Sequence, residues 1–420
     1  MLEVVLPTFT GPGARGCVEI LRSQGKNSMT REVSADLSFE WIRRIADINR
    51  AEWDALAVPL DTPLLEWDWL FLMEESGSIS PKNGWLPNHL VVRRGGKLAA
   101  AAPLYIKGHS AGEFVFDHAW ADVAGQLDIP YYPKLVGMSP VTPAVGYRFL
   151  MAPGEDEPRI TGLMMQVIDK FCRSHGVSGC SFLFVDPSWR SMAESFGYLG
   201  WKHQSYLWRN PGYNGFDDYL ARFNSNQRRN IKRECRVLSE EGVRLVAFAA
   251  DEIPKAFFSL MYRFYERTND RYGPWGCKYL SKSFFEGLYD RYRHRLLFIA
   301  AYDAQSNGVP IGMSMLLWKG PRLYGRYWGS FDEVRYLHFN TCFYDPIKWA
   351  IANQIREFDP GAGSPHKLRR GFEAIPNFSL HRFFDVRLDR IFKTYIDNIN
   401  RMEQEQIDSL NQQLPFAQQS

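Results

Sequence analysis

The sequence predicts an α/β protein of two domains, and three observations carry that reading. The chain has 420 residues, more than one ordinary hydrophobic core holds. Runs with helical spacing alternate with short strand-like runs. The order of these runs also repeats, since a helix-rich stretch followed by three strand-like runs occurs near residues 89–117 and again near 296–327.

Residues 1–34 predict a disordered extension, with Met29 as an alternative start. Helical spacing begins near Leu37 and continues through Phe39, Ile42, Ile45, Ile48 and Trp53. Leu64–Glu75 predicts a second helix. Three strand-like runs follow at His89–Arg94, Lys97–Ile106 and Glu113–Asp117, the first two joined by a Gly95-Gly96 turn. Ile160–His175 and Ser191–Tyr198 predict helices, and Cys180–Val185 and His203–Trp208 predict strands. The run Pro-Gly-Tyr-Asn-Gly at 211–215 marks a boundary, so the first domain is expected over 35–210.

The second domain, expected over 211–395, repeats the scheme. Phe216–Glu241 is helical and basic, and Val243–Phe248 is a strand. Ile253–Asn269 and Ser281–Tyr292 are helices. Leu296–Tyr302, Val309–Leu317 and Arg322–Tyr327 are strands, and Cys342–Ala352 is a helix. A last helix begins at Leu388, and the Gln-rich tail at 396–420 is expected to fray. The repeated order suggests an internal duplication.

Composition narrows the classes. A net charge of +3 is too small to imply nucleic acid by itself. Aromatic residues make up 15% of the chain, which points to large cores or a ring-lined groove. The six cysteines show neither zinc-knuckle nor redox-pair spacing. The expectation is a reduced, cytoplasmic protein without a metal site. No apolar run is long enough to span a bilayer, and no secretory leader pattern opens the chain.

Four constellations carry candidate chemistry. Phe358–His381 gathers glycines, prolines, two imidazoles and the cations Lys367, Arg369 and Arg370, and it is expected to be a loop with His366, Lys367 and Arg370 at work. A plain solvated connector is the bland alternative. Arg222–Arg236 holds six cations against one acid, Glu234, and its Arg228, Arg229, Lys232 and Arg233 suit phosphates. Such runs are equally often solvated helix faces. Tyr131–Arg148, too rich in proline and glycine for a helix, offers Lys134, Thr142, Tyr147 and Arg148 to an anionic ligand, or is a long structural loop. Leu323–Asn340 ends a strand at Arg326 and Tyr327, which either face substrate or belong to a core strand with an aromatic edge. His338 and Cys342 lie one helical turn apart, a spacing more often due to packing than to a thiolate pair. No nucleophile elbow and no Walker loop occurs.

Several segments together resemble a known bacterial family: WDWLFLMEESGSI, NGWLPNHLVV, YYPKL, VTPAVGYR, FNSNQRRNIKRECR, LYGRYWG, LHFN, FDPGAG and HKLRRGF. The order and spacing over residues 35–395 are similar to those of the FemAB-like, peptidoglycan biosynthesis/recognition family. That resemblance implies two GNAT-like domains in tandem, with a cleft between them. It also implies transfer of an acyl or aminoacyl group. Fem transferases move an amino acid from aminoacyl-tRNA onto a peptidoglycan-precursor peptide.

The match has departures. The family's usual GAQGEHK is GAGSPHK here, with Gly363, Ser364 and Pro365 at its centre. The acid that often follows LHF is Asn340. A general base carried by either acid is therefore missing, which leaves His366 as proton acceptor. Acetyl-CoA enzymes of this fold carry a glycine-bearing turn where this chain has Arg335–Asn340, and both glycines are absent.

The expectation is an acyltransferase that forms an amide on an amine acceptor. His366 relays the proton, Lys367 and Arg370 stabilise charge, and Tyr327 and Arg326 orient the acceptor. Lys134, Thr142, Tyr147, Arg148, Asn340, Arg228, Arg229, Lys232 and Arg233 bind substrate. No cofactor is expected to bind tightly, and the donor is aminoacyl-tRNA or acyl-CoA. The partners are that donor and an amine-bearing acceptor, with peripheral contact to a membrane-linked precursor. An acyl-CoA-dependent N-acyltransferase of a small amine and a non-catalytic ligand-binding module stay open.

Overall fold

The computed structural model of this chain describes residues 32–34, 36–273, 276–363 and 365–417. Most of the expected extension lies outside the described residues. The chain divides into two compact units. One comprises the chain to Leu60, Leu64–His203 and Asn377–Met402; the other comprises Asp61–Pro63, Gln204–Pro376 and the chain from Glu403.

The first unit carries β1 (Glu32–Ser34), β2 (Leu37–Ile42), β3 (Trp85–Pro87), β4 (His89–Arg94), β5 (Lys97–Ala102), β6 (Leu104–Lys107), β7 (Lys134–Gly137), β8 (Leu150–Met151) and β9 (Gly179–Phe182). One antiparallel sheet runs β1-β2-β4-β5-β8. A second runs β9-β7-β6-β3, with β7 and β9 parallel. The helix expected from Leu37 is in fact β2. Leu37 and Phe39 are buried while Ser38 and Glu40 are half-exposed, so the local period is two and not 3.6.

The strand expected at Glu113–Asp117 is also corrected, because no strand forms there. Instead Glu113 and Asp117 both clasp the ammonium of Lys134, the former at 2.7 Å. All three are buried, and the paired charges hold the loop against β7.

The second unit carries most of β10 (Leu199–Arg209), then β11 (Arg244–Ala249), β12 (Leu296–Tyr302), β13 (Gly312–Lys319), β14 (Arg322–Ser330) and β15 (Glu357–Asp359). The order is β11-β12-β13-β14-β15-β10, antiparallel except for β14 against β15. The expected meander is therefore present here as β12–β14. Met315 faces Tyr327 but Leu316 faces Gly325, so Arg326 is the extra residue of a β-bulge. The helix expected from Cys342 opens instead as a π turn, Asn340–Tyr344, before Asp345–Ala352.

Both expected domain ranges and the frayed tail need correction. The strand β16 (Glu373–Phe383) pairs Leu380 with Phe182 and His381 with Ser181 of β9. The following helix, Val386–Asn411, packs Leu388, Phe392 and Ile396 into one core with Trp120 and Tyr131. Residues 377–402 thus complete the first unit. Farther on, Ile407, Leu410, Leu414 and Phe416 pack against the core of the second. Asn224 N–H bonds the Pro415 carbonyl, and Ala417 N–H bonds that of Arg222. The apolar members of the tail are what hold it, each fully buried ring or branched chain contributing about 2 kcal/mol before entropy.

Candidate functional site

The basic helix is Ser225–Glu240. Asn224 caps it, its side-chain oxygen accepting from Gln227 N–H at 2.9 Å. Ile231 and Leu238, seven residues apart, are buried and fix which face looks inward. Arg229, Lys232 and Arg233 are exposed, and with half-buried Arg228 they form no ion pair among the described residues. Glu234, the one acid within Arg222–Arg236, turns inward to Arg370.

The glycine-rich segment is only partly a loop. It runs from β15 through residues 360–364 into a 3-10 turn, Pro365–Arg370, and then into β16, which tolerates Pro376. Gly371 closes the turn at φ 72°, and a Cβ there would lie 2.9 Å from the Phe223 ring. No other residue fits that approach.

Helix and turn together enclose a cavity of about 530 Å³. Arg233, Glu234, Phe339, His366, Arg369 and Arg370 are among its lining residues. Arg370 is the organising group. One Nη donates to the His366 carbonyl at 2.9 Å, the other to Glu234 Oε2 at 3.0 Å, and the guanidinium lies 3.5 Å from the Phe339 ring centroid. Glu234 Oε2 also accepts from the Tyr344 hydroxyl. Burial, followed by the charges of Arg370 and Lys367, pushes His366 down to about 4. Its imidazole is therefore neutral at neutral pH, with a lone pair free of a proton.

A second cavity, of about 470 Å³, shares Phe339 with the first. It is bounded by Arg271, Trp328, Arg335, Tyr336 and His338. Tyr336 stands at φ 63°, the left-handed region that glycine usually fills, just before the chain turns helical at Leu337. His338 is pushed down to about 3 by burial and by His366, whose ring centroid is 6.0 Å away. Burial pushes the Cys342 thiol up to about 12, so no thiolate pair forms with His338.

The other expected residues do not line the first cavity. Lys367 is buried, and its ammonium donates to the carbonyls of Gly361 at 2.6 Å and Ala362 at 2.9 Å. Burial, reinforced by Arg326, lowers it to about 8. Here it acts as a clip on the loop. Arg326 is nearly buried and faces Asp359 at 3.6 Å. The Tyr327 ring packs edge-on against Tyr265 and Phe285, and burial raises its hydroxyl far above the usual range. Asn340 Nδ2 donates to the carbonyls of Glu234 and Tyr336.

The four residues assigned to ligand binding in the first unit have structural partners instead. Lys134 has Glu113 and Asp117. Thr142 donates to the Pro140 carbonyl and Tyr147 to that of Pro103, and Arg148 pairs with Glu157. Turn and strand geometry engages these groups in local contacts.

Sequence reasoning passed over Glu234, Phe339 and Arg369. The one available signal was Glu234, the single acid inside the cationic run Arg222–Arg236.

A family model described as FemAB-like, peptidoglycan biosynthesis/recognition, matches residues 44–418. The chain belongs to the FemAB-like family. Among solved structures, FemX superposes on this FemAB-like chain with a TM-score of 0.51 at 11% identity, covering 84% of this chain and 99% of FemX. A tandem GNAT protein from the clavulanic acid biosynthesis pathway gives a TM-score of 0.44 at 14% identity, covering 83% and 98%. No curated protein matches it in sequence. The fold is α/β and is shared with FemX. Among the described residues no helix is long and apolar enough to cross a membrane.

The first cavity has the chemistry of a polar transfer site. It combines a neutral imidazole, three guanidinium groups and one carboxylate. Such a set can hold an anionic group, accept a proton and steady developing negative charge.

Proposed function

We propose that this FemAB-like chain is an acyl or aminoacyl transferase that forms an amide bond on an amine acceptor. The acceptor is a peptidoglycan-precursor-like peptide, reached in the cytoplasm or at a membrane-linked precursor. The observation that carries the reading is the first cavity, where neutral His366 and the Arg370 fork meet beside an unpaired basic helix face. An activated ester or thioester already holds its leaving group, so the chain needs only to align the amine, take its protons and stabilise the oxyanion. Arg229, Lys232 and Arg233 offer the phosphates of a donor an exposed basic stripe.

The test incubates the full chain with a cell-wall precursor peptide and either charged aminoacyl-tRNA or acyl-CoA, and reads the product by mass spectrometry. An amide product that disappears with His366→Ala supports the reading. Ligand-induced stabilisation without product from any donor overturns it in favour of a silent binding module.

A second reading, transfer from acyl-CoA, is favoured by one feature. Tyr336 supplies the left-handed turn that glycine would otherwise give, beside a cavity carrying Arg271 and Arg335. Product from acyl-CoA alone would select it.

A further inference from the structure

We infer that Glu234 Oε1 receives the amine of the acceptor and takes its first proton. Glu234 is the single carboxylate among the described residues lining the 530 Å³ cavity. Its two oxygens are not equivalent. Oε2 is held by the Arg370 guanidinium and the Tyr344 hydroxyl. Oε1 accepts no hydrogen bond from the described residues and is not among the buried polar atoms. The side chain is 13% exposed, and Glu234 lines the cavity. Its backbone is fixed as well, since Asn340 donates to its carbonyl at 3.2 Å. A carboxylate locked through one oxygen and open at the other is preorganised for a donor.

An ammonium is the group that fits. A carboxylate or phosphate placed at Oε1 would be repelled, and a neutral amide would forgo the charge. Arg233 and Arg369 line the same space and favour an acid on the same molecule. The acceptor class is therefore an amine that also bears a carboxylate, as in a peptide with a free amino side chain.

The assignment rests on the amide-forming reading of this cavity, and the proton accounting closes. The acceptor ammonium gives one proton to Oε1, which later releases it to solvent. The freed lone pair attacks the acyl carbon, and a C–N bond forms while the C–O or C–S bond to the donor breaks. The second proton leaves the nitrogen for the departing oxygen or sulfur, with neutral His366 in the same cavity to pass it.

Binding tests this without turnover. Nα-acetyl-L-lysine, with a free ε-amine, and Nα,Nε-diacetyl-L-lysine are titrated calorimetrically into the full chain. The wild type should prefer the free amine by about tenfold or more. In Glu234→Gln the preference should vanish while affinity for the diacetyl compound stays. A merely structural Glu234 would weaken both compounds equally. If Glu234→Gln does not fold, Glu234→Asp keeps the charge but withdraws the oxygen, and it should cut the preference several-fold. No amine preference in the wild type, or an unchanged preference in a folded variant, overturns the assignment. Amine preference without any amide product would instead point to failure of the transferase reading.

Discussion

Arg370 Nη2 lies 3.0 Å from Glu234 Oε2, joining the turn after the glycine-rich loop to the only acid in the middle of the basic helix. Both side chains are largely buried, so neither charge can be left alone cheaply. Arg370→Ala should lower unfolding free energy by about 3–5 kcal/mol, as for a broken buried pair. Arg370→Lys should recover only part, because an ammonium cannot span both Glu234 and the His366 carbonyl with a planar fork. Urea denaturation of the three proteins checks this, and equal midpoints would show the pair to be dispensable.

His366 holds its ring by packing against Phe339 and Phe343, and its neutral form faces the cavity. His366→Ala should cut turnover by roughly 10²–10⁴-fold if the imidazole moves a proton. The melting temperature should change little. Steady-state rates alongside melts separate the two effects, and a loss of fold without a specific loss of rate would refute the role.

The exposed cations of the basic helix should act through charge alone. Replacing Arg229, Lys232 and Arg233 together with alanine should weaken binding of a phosphate-bearing donor and flatten its dependence on salt, since fewer counterions are released. Affinity measured across a salt series decides it. An unchanged slope would make the helix face a solvated surface.

Acid should destabilise the fold before it reaches the carboxylate range. Burial holds His109, His203 and His366 at about 4, and His338 and His381 at about 3. In the unfolded chain an imidazole titrates near ~6.5. Between those values the unfolded chain binds protons that the folded one does not, so stability is full above about 6.5 and falls as pH drops toward 4. Thermal melts from pH 7.5 to 4 should show the decline. A flat melting temperature over that window would contradict it.

The sequence made legible what depends on local period and on residue type. The meander from Leu296 to Tyr327 and the cationic face were readable, because each is written within a few neighbouring residues. Leu37–Ile42 misled because six residues with Ile45 and Ile48 beyond them fit two periods at once. The tight pairing of Lys134 was hidden, since its partners Glu113 and Asp117 are about 20 residues away and meet it only after folding. Glu234 was hidden in the same way. Nothing local says that one acid among six cations turns inward to Arg370.

The return of residues 377–402 to the first unit carries a consequence for synthesis. On the ribosome, the amino-terminal portion emerges long before β16 and the helix Val386–Asn411 exist. Until then β9 lacks its antiparallel partner, and Trp120 lacks Phe392. Vectorial folding from the amino end, the common order for multidomain chains, is closed to this one. Its first-made segment must wait with part of its apolar surface bare. A gene fragment ending near residue 210 should accordingly give an insoluble product, and a permuted gene that places residues 377–402 ahead of 64–203 should give a soluble one.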